Sequence, residues 1–143
     1  MNDNPLYDEL EDIRKIDHEG LLRPEAIVEY AEKNRNSILH QSFEWDDGKA
    51  AYNYRLWQAR QLIVRVTIEA TEGRFIQAYV SLTSNRIKGG YRSMVEVFMN
   101  NDTREELLMD ALEELNRIKA KYRELKELEK IFAEIDKVQR KSK

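Results

Sequence analysis

The hydrophobic positions of this sequence repeat with a helical period near both ends and with a strand period in the middle. From Pro5 to Asp17 the apolar residues recur every three or four positions, which predicts a short amphipathic helix. A second helix is predicted to begin at Pro24, because proline is favoured in a first helical turn, and to stop before Asn34. Residues 38–45 are predicted to form a connector with three side chains docked under the helices, namely Leu39, Phe43 and Trp45.

The stretch from Asp46 to Val64 is predicted to be the central helix of the fold. Asp46 or Asp47 is placed to cap its first amides, and no proline interrupts it. Apolar and aromatic side chains point in several directions around this helix, which predicts that it is covered on several sides. These side chains are Ala51, Tyr52, Tyr54, Leu56, Trp57, Ala59, Leu62 and Ile63.

A period of two follows the central helix and predicts an antiparallel β-hairpin with its turn at residues 71–74. Such a hairpin is marginally stable alone, so it must pack on the central helix or gain a partner strand. A loop is predicted next over residues 83–92. The run from Ser93 is predicted to be a short helix, with an edge strand as the alternative. The side chains expected on the buried face of the hairpin are Val66, Ile68, Ala70, Ile76, Ala78, Val80 and Leu82.

The last third of the chain is predicted to be one long helix that dimerises. Asp102 and Glu105 have the spacing of a capping box. A helix from Asp102 to Lys137 would be roughly 54 Å long, longer than a small domain is wide, so part of its apolar stripe is expected to pack on a second copy as in a coiled coil. The alternative is a break between Glu124 and Glu129 that folds the tail back on its own domain. The residues expected to mediate oligomerisation are Leu108, Leu115, Ile118, Tyr122, Leu125, Phe132 and Ile135.

Together these elements predict an α+β fold that is mainly helical. Residues 1–100 form a small head of helices and a β-hairpin, and residues 101–143 form the long C-terminal helix. The absence of cysteine excludes disulfides, thiolate zinc sites and a cysteine nucleophile. No stretch resembles a signal peptide or a membrane span, so we expect a cytoplasmic protein with no membrane partner.

The net charge of −3 hides an uneven distribution along the chain. Residues 1–47 hold 13 acidic and 5 basic side chains, residues 48–92 hold 2 and 8, and residues 93–143 hold 12 and 11. A basic middle segment predicts a surface that faces anions, and the two helices within residues 24–63 resemble a helix-turn-helix with a longer connector than usual. The residues expected to bind nucleic acid are Lys49, Asn53 and Arg60 on the central helix and Arg86, Lys88, Tyr91 and Arg92 on the loop.

Two kinds of catalytic site are weighed against this hypothesis and found weaker. His40, Glu44, Asp46 and Asp47 contain groups that bind metals, but they lie on a connector and are explained as helix caps or surface groups. Ser37 is three residues from His40, but no nucleophile motif surrounds it. We therefore expect no metal, no cofactor and no catalytic residue.

Several short motifs resemble a family of small proteins encoded by bacteriophages and prophages. The motifs are F-E-W-D-D at residues 43–47, A-A at 50–51, Y-R at 54–55 and Q-A-R at 58–60, and the likeness continues through A-Y-V-S-L at 78–82 and G-G-Y-R at 89–92. The resemblance implies a phage or prophage origin, and hence the host cytoplasm, but it supplies no catalytic residues.

The sequence thus predicts a non-enzymatic phage accessory protein that binds nucleic acid as a homodimer. The alternative is a protein-binding phage factor, either an assembly factor or an inhibitor of a host protein. This alternative would act through the acidic N-terminal part or the C-terminal helix.

Overall fold

The computed structural model describes residues 4–46 and 48–142, which form a mainly helical α+β protein. Helices make up 65% of the structure, and this confirms the predicted fold class. The chain divides into two compact units after Met99. We call residues 4–46 and 48–99 the head and residues 100–142 the C-terminal unit. No helix within the described residues is long and apolar enough to cross a membrane.

Four helices build the first half of the head. The side chain of Asn4 accepts hydrogen bonds from the N–H groups of Leu6 and Tyr7 and so caps the first helix. The second helix begins at Pro24, as predicted. The four helices are α1 (Pro5–Ile16), α2 (Pro24–Lys33), α3 (Ile38–Gln41) and α4 (Lys49–Arg65). The core between them buries, among others, Leu10, Ile13, Leu22, Ile27, Val28, Ala31, Leu39, Phe43, Ala59, Leu62 and Ile63.

α4 begins later than the sequence predicts. The guanidinium of Arg55 donates hydrogen bonds to the carbonyl oxygens of Glu44 and Asp46, at 3.0 Å each, and holds the connector out of the helix. Gly48, with a φ of 138°, takes the N-cap position, and no side chain caps the helix there. The prediction that Asp46 caps α4 is therefore wrong, and Asp47 lies outside the described residues.

The prediction that α4 is covered on several sides is also wrong. Tyr52 is 41% exposed, and Tyr54 and Trp57 are each 51% exposed. The rest of the core packs against a single face of the helix, so the aromatic side chains on the other faces stay in solvent. The buried residues of α4 are Arg55, Ala59, Leu62 and Ile63.

Two small antiparallel sheets follow α4. The predicted hairpin is confirmed for β1 (Thr67–Thr71) and β2 (Arg74–Gln77), with Gly73 in its turn at a φ of 75°. The predicted second strand ends early, however. β3 (Tyr79–Val80) pairs instead with β4 (Arg92–Ser93) in a separate sheet.

The chain changes sheets at Ala78. Its N–H donates to the carbonyl of Val66 at 2.9 Å, and its own carbonyl accepts a hydrogen bond from the N–H of Met94 at 2.8 Å. The alternation of faces is interrupted there, so Tyr79 is fully buried although the sequence pattern places it opposite the core. The short helix predicted from Ser93 is confirmed as α5 (Met94–Met99).

The C-terminal unit consists of two helices rather than one. α6 (Asn101–Tyr122) and α7 (Glu129–Lys141) are joined by residues 123–128. The N–H of Leu125 donates to the carbonyl of Tyr122, and that of Leu128 donates to Leu125, so three-residue turns replace the helical hydrogen bonds. The predicted single helix is therefore wrong, and the alternative break between Glu124 and Glu129 is present.

Two further predictions for this unit are corrected. Asn100 caps α6, because its side-chain oxygen accepts hydrogen bonds from the N–H groups of Asp102 and Thr103, so Asp102 is not the cap. Phe132 and Ile135 are buried against Leu112 of the same chain, because the turn brings α7 back onto α6. They do not face a second copy as the continuous stripe predicts.

Candidate nucleic-acid interface

The exposed side of α4 carries the three helix residues that the sequence singles out for nucleic-acid binding. Lys49, Asn53 and Arg60 are all exposed and lie on one side of the helix, away from its buried face. Trp57 lies between Asn53 and Arg60, four residues after the first and three before the second. These four side chains are therefore neighbours along one surface. We call this surface, together with Tyr54 three residues before Trp57, the outer face of α4.

The outer face is basic. α4 contains no acidic residue, and the two cations of the outer face, Lys49 and Arg60, are exposed. Within residues 4–46 and 48–142, neither Lys49 nor Arg60 forms an ion pair. No carboxylate of the described residues therefore offsets either charge, which favours contact with an anionic ligand.

An exposed aromatic pair adjoins these cations. The rings of Tyr54 and Trp57 stack with their centroids 5.6 Å apart and an interplanar angle of 19°. Each residue keeps about half of its surface in solvent, at 51% exposure. The sequence reasoning missed this pair because it treated both residues as covered. The available signal was the polar surroundings of Trp57 on the helix surface, where Asn53, Arg60 and Gln61 are its neighbours.

A recess lies at the start of the outer face. It is lined by Gly48, Lys49, Tyr52 and Asn53 and has a volume of about 470 Å³. Arg55 helps to shape it, because the guanidinium bonds described above fix the connector that enters the helix. The same guanidinium lies 5.2 Å from the ring centroid of Trp45. Arg55 is thus a structural residue, and its charge does not contribute to the exposed surface.

The predicted phosphate-binding loop presents fewer free cations than its sequence suggests. Arg86 is exposed, but the Nζ of Lys88 lies 3.0 Å from a carboxylate oxygen of Glu19, and the Nε of Arg92 donates to the side chain of Asn85 at 2.9 Å. The backbone of Tyr91 forms an isolated β-bridge with Leu22. The loop is therefore anchored on the connector between α1 and α2.

The shape of this loop follows from its contacts at the base and its freedom at the tip. A Cβ atom on Gly90 would lie 2.7 Å from the Cδ1 of Leu21, so the loop leaves no room there for a side chain. Ile87, at the tip, is 98% exposed. The loop is thus tightly seated at one end and open at the other.

The connector beneath the loop is organised by charge. Burial opposes ionisation of Asp17, but hydrogen bonds from Arg23 and from the N–H groups of Leu21 and Glu19 outweigh it and lower its pKa to about 2. The hydrogen bond from Lys88 lowers the pKa of Glu19 as well. Both carboxylates stay ionised near neutral pH, so Lys88 is offset by a charge from the acidic N-terminal segment.

The residues weighed as a metal or catalytic site have structural contacts instead. The Nδ1 of His40 lies 2.6 Å from the carbonyl oxygen of Ala31, and its ring stacks on Trp45 with centroids 4.7 Å apart. The hydroxyl of Ser37 donates to the carbonyl of Asn34. Within the described residues, no group of three histidine or carboxylate side chains is arranged to hold a metal.

Comparison with known proteins does not identify a family for this chain. The chain matches no protein-family model, no curated protein and no solved structure. The resemblance to small phage and prophage proteins therefore stays a prediction.

Proposed function

We propose that this protein binds nucleic acid through the outer face of α4. The single observation that carries the proposal is an exposed helical face with cations, an aromatic pair and no carboxylate. Phosphates are neutralised by exposed Lys and Arg side chains, and displaced counterions then favour binding. On the loop, Arg86 is exposed, whereas Lys88 and Arg92 have partners within the chain.

The test is a salt titration of binding to a labelled nucleic acid. Arg60→Ala is compared with Arg74→Ala, which removes the same side chain from the turn of the β-hairpin, where Arg74 is also exposed. Arg60→Ala is expected to lower affinity several-fold and to reduce the slope of log affinity against log salt by about 1, as the loss of one phosphate contact does. Arg74→Ala is expected to change neither quantity. Equal effects of the two variants, or no binding at low salt, would reject the proposal.

We further propose that the protein binds as a dimer, joined through the C-terminal unit. The side chain of Asn116 on α6 donates to that of Gln139 on α7, so Asn116 marks the side of α6 that contacts α7. Helical spacing places a stripe of apolar residues on the adjacent side of α6. The side chains of this stripe and their neighbours keep between 37% and 56% of their surface exposed. We call this set the C-terminal stripe; its residues are Leu108, Leu115, Ile118, Tyr122, Leu125, Ile131 and Val138.

A second copy suits the C-terminal stripe because the surrounding charges are of both signs. Glu114 and Lys121 border it on α6, so a two-fold arrangement can bring opposite charges together. Ile118→Lys is expected to halve the mass measured by light scattering, while Ala120→Lys, which adds the same charge on the other side of α6, leaves it unchanged. A wild-type chain that is monomeric at all concentrations would favour the alternative function, in which the stripe binds a different protein.

A further inference from the structure

We infer that the outer face of α4 selects single-stranded nucleic acid, with bases stacking on Tyr54 and Trp57. This inference rests on the proposed function and names its ligand class. It starts from the position of the aromatic pair among the cations. Lys49 lies before the pair along the helix, and Arg60 and Arg65 lie after it.

The two rings form a platform that a base can extend. At 5.6 Å between centroids and 19° between planes they are offset rather than eclipsed, so each ring keeps an open face. Half of each residue is already exposed, so little rearrangement is needed before a base stacks. Bases stack on aromatic side chains with little dependence on sequence, because every base has a π-face.

The separation of Lys49 and Arg60 suits a nucleic-acid strand that runs along the helix. Lys49 and Arg60 are 11 residues apart, which corresponds to about 16 Å along an α-helix. A strand laid between them can place phosphates near both charges while its bases meet the rings in the middle. Charge complementarity therefore favours an anionic occupant over an apolar one. The aromatic pair, on which bases can stack, favours a nucleic acid over an acidic protein segment.

A duplex fits this face less well. Its bases are stacked on each other and reach a protein only through their edges, so a ring can stack on them only after the duplex is locally opened. The side chains in the centre of the outer face are large and aromatic, whereas direct readout of a groove uses Arg, Asn or Gln against base edges. Trp57, between Asn53 and Arg60, would separate the two side chains best suited to such readout.

The experiment measures affinity for three labelled probes of equal length and charge per strand. They are a mixed-sequence single strand of about 16 nucleotides, an abasic strand that keeps the phosphates but lacks the bases, and the corresponding duplex. The variants are Tyr54→Ala, Trp57→Ala and Trp57→Phe. Phe75→Ala is the matched control, because Phe75 is an exposed aromatic residue on the β-hairpin, at 63% exposure.

The wild type is expected to bind the single strand at least about fivefold more tightly than either other probe. Trp57→Ala is expected to weaken binding of the single strand by about five- to a hundredfold, while its affinity for the abasic strand changes less than about twofold. Trp57→Phe should recover most of the loss because it keeps an aromatic ring, and Phe75→Ala should have no effect. Unchanged far-ultraviolet circular dichroism establishes that each variant is folded.

Other outcomes separate this inference from the proposed function. If Arg60→Ala weakens all three probes but Trp57→Ala weakens none, the face binds phosphates and the stacking inference is overturned. If Trp57→Ala weakens the abasic and normal strands equally, the ring does not act through bases and the inference is again overturned. No binding of any probe overturns both proposals.

Discussion

The head and the C-terminal unit bury their apolar side chains to different extents. The head has a continuous core of fifteen buried apolar residues, whereas the buried cluster of the C-terminal unit contains three, Leu112, Phe132 and Ile135. The apolar side chains that α6 and α7 do not bury remain as the C-terminal stripe. A two-helix unit with so small a core gains little stability from its own packing. This difference supports the proposal that a second copy covers the C-terminal stripe.

The two units also differ in how they use charge. In the head, the Nε of Arg14 lies 2.7 Å from a carboxylate oxygen of Glu11, and both side chains are nearly buried. In the C-terminal unit, the pair between Arg117 and Glu113 has a similar length, 2.9 Å, but lies in solvent.

The hydroxyl of Tyr7 donates to Glu11, and burial together with this bond raises the pKa of Tyr7 to about 12.

The largest expected effect is at the buried pair of the head. Arg14→Ala leaves the carboxylate of Glu11 buried without its charged partner, which is expected to lower the free energy of unfolding by about 3 to 5 kcal/mol. Urea denaturation followed by circular dichroism measures this loss. A change below about 1 kcal/mol would show that Glu11 is readily rehydrated and would weaken the contrast between the units.

The next largest effect is expected from truncating a buried leucine to alanine, which can be done in the core of each unit. Leu39→Ala removes a fully buried side chain of the head and is expected to cost about 2 to 5 kcal/mol in unfolding free energy. Leu112→Ala removes one of three buried residues of the C-terminal unit and is expected to speed amide hydrogen exchange throughout α6 and α7. Exchange mass spectrometry of both variants checks the pair. Unaltered exchange in α6 and α7 of Leu112→Ala would mean that this small core does not hold the helices together.

Asp17 gives the head a dependence on acid pH. Its pKa is lowered from 3.8 to about 2 in the fold, so folding favours the ionised form, and the resulting stability is present above about pH 4 and lost as pH falls towards 2. The contribution is about 2 kcal/mol. Asp17→Asn is expected to lose it at pH 5 and to show a flatter stability curve below about pH 4. Parallel pH profiles for variant and wild type would contradict this assignment.

A smaller effect is expected at the start of α6. Asn100→Ala removes the side chain that accepts hydrogen bonds from two backbone N–H groups, and is expected to destabilise the C-terminal unit by about 1 kcal/mol. Asp102→Ala should cost less, because Asp102 lies inside the helix and contributes chiefly through the helix dipole. Local hydrogen exchange in the first turns of α6 ranks the two. The reverse ranking would restore Asp102 as the cap.

The smallest effect is expected at the exposed pair of the C-terminal unit. Arg117→Ala should change stability by about 0.5 kcal/mol or less, because a solvated ion pair between helical neighbours is weak. The change is measured as a shift in the thermal midpoint at low and high salt. A loss comparable with that of Arg14→Ala would show that Arg117 is buried in the assembled protein.

The sequence predicted the elements whose signals are local. The first-turn proline of α2, the glycine turn of the β-hairpin and the helix after Ser93 were all found where the pattern placed them. Likewise, the spacing of Lys49, Asn53 and Arg60 placed them on one exposed side of α4. Each of these features depends on residues only a few positions apart.

The remainder depends on partners that are distant in sequence. Lys88 pairs with Glu19 across 69 residues, and a count of charges along the chain does not reveal such a pair. Periodicity places Trp57 on one side of a helix but does not show that the core leaves this side chain half exposed. The break after Tyr122 lacks a glycine or proline signal, and is explained only by the packing of Phe132 and Ile135 on the same chain.

The loop that is seated at Gly90 and open at Ile87 gives this protein a convenient reporter position. Because the chain contains no cysteine, Ile87→Cys would introduce a unique thiol. A fluorophore or spin label attached there would project into solvent without disturbing the contact at Leu21. Its distance to a second label on α4 would measure how far the loop tip lies from the outer face.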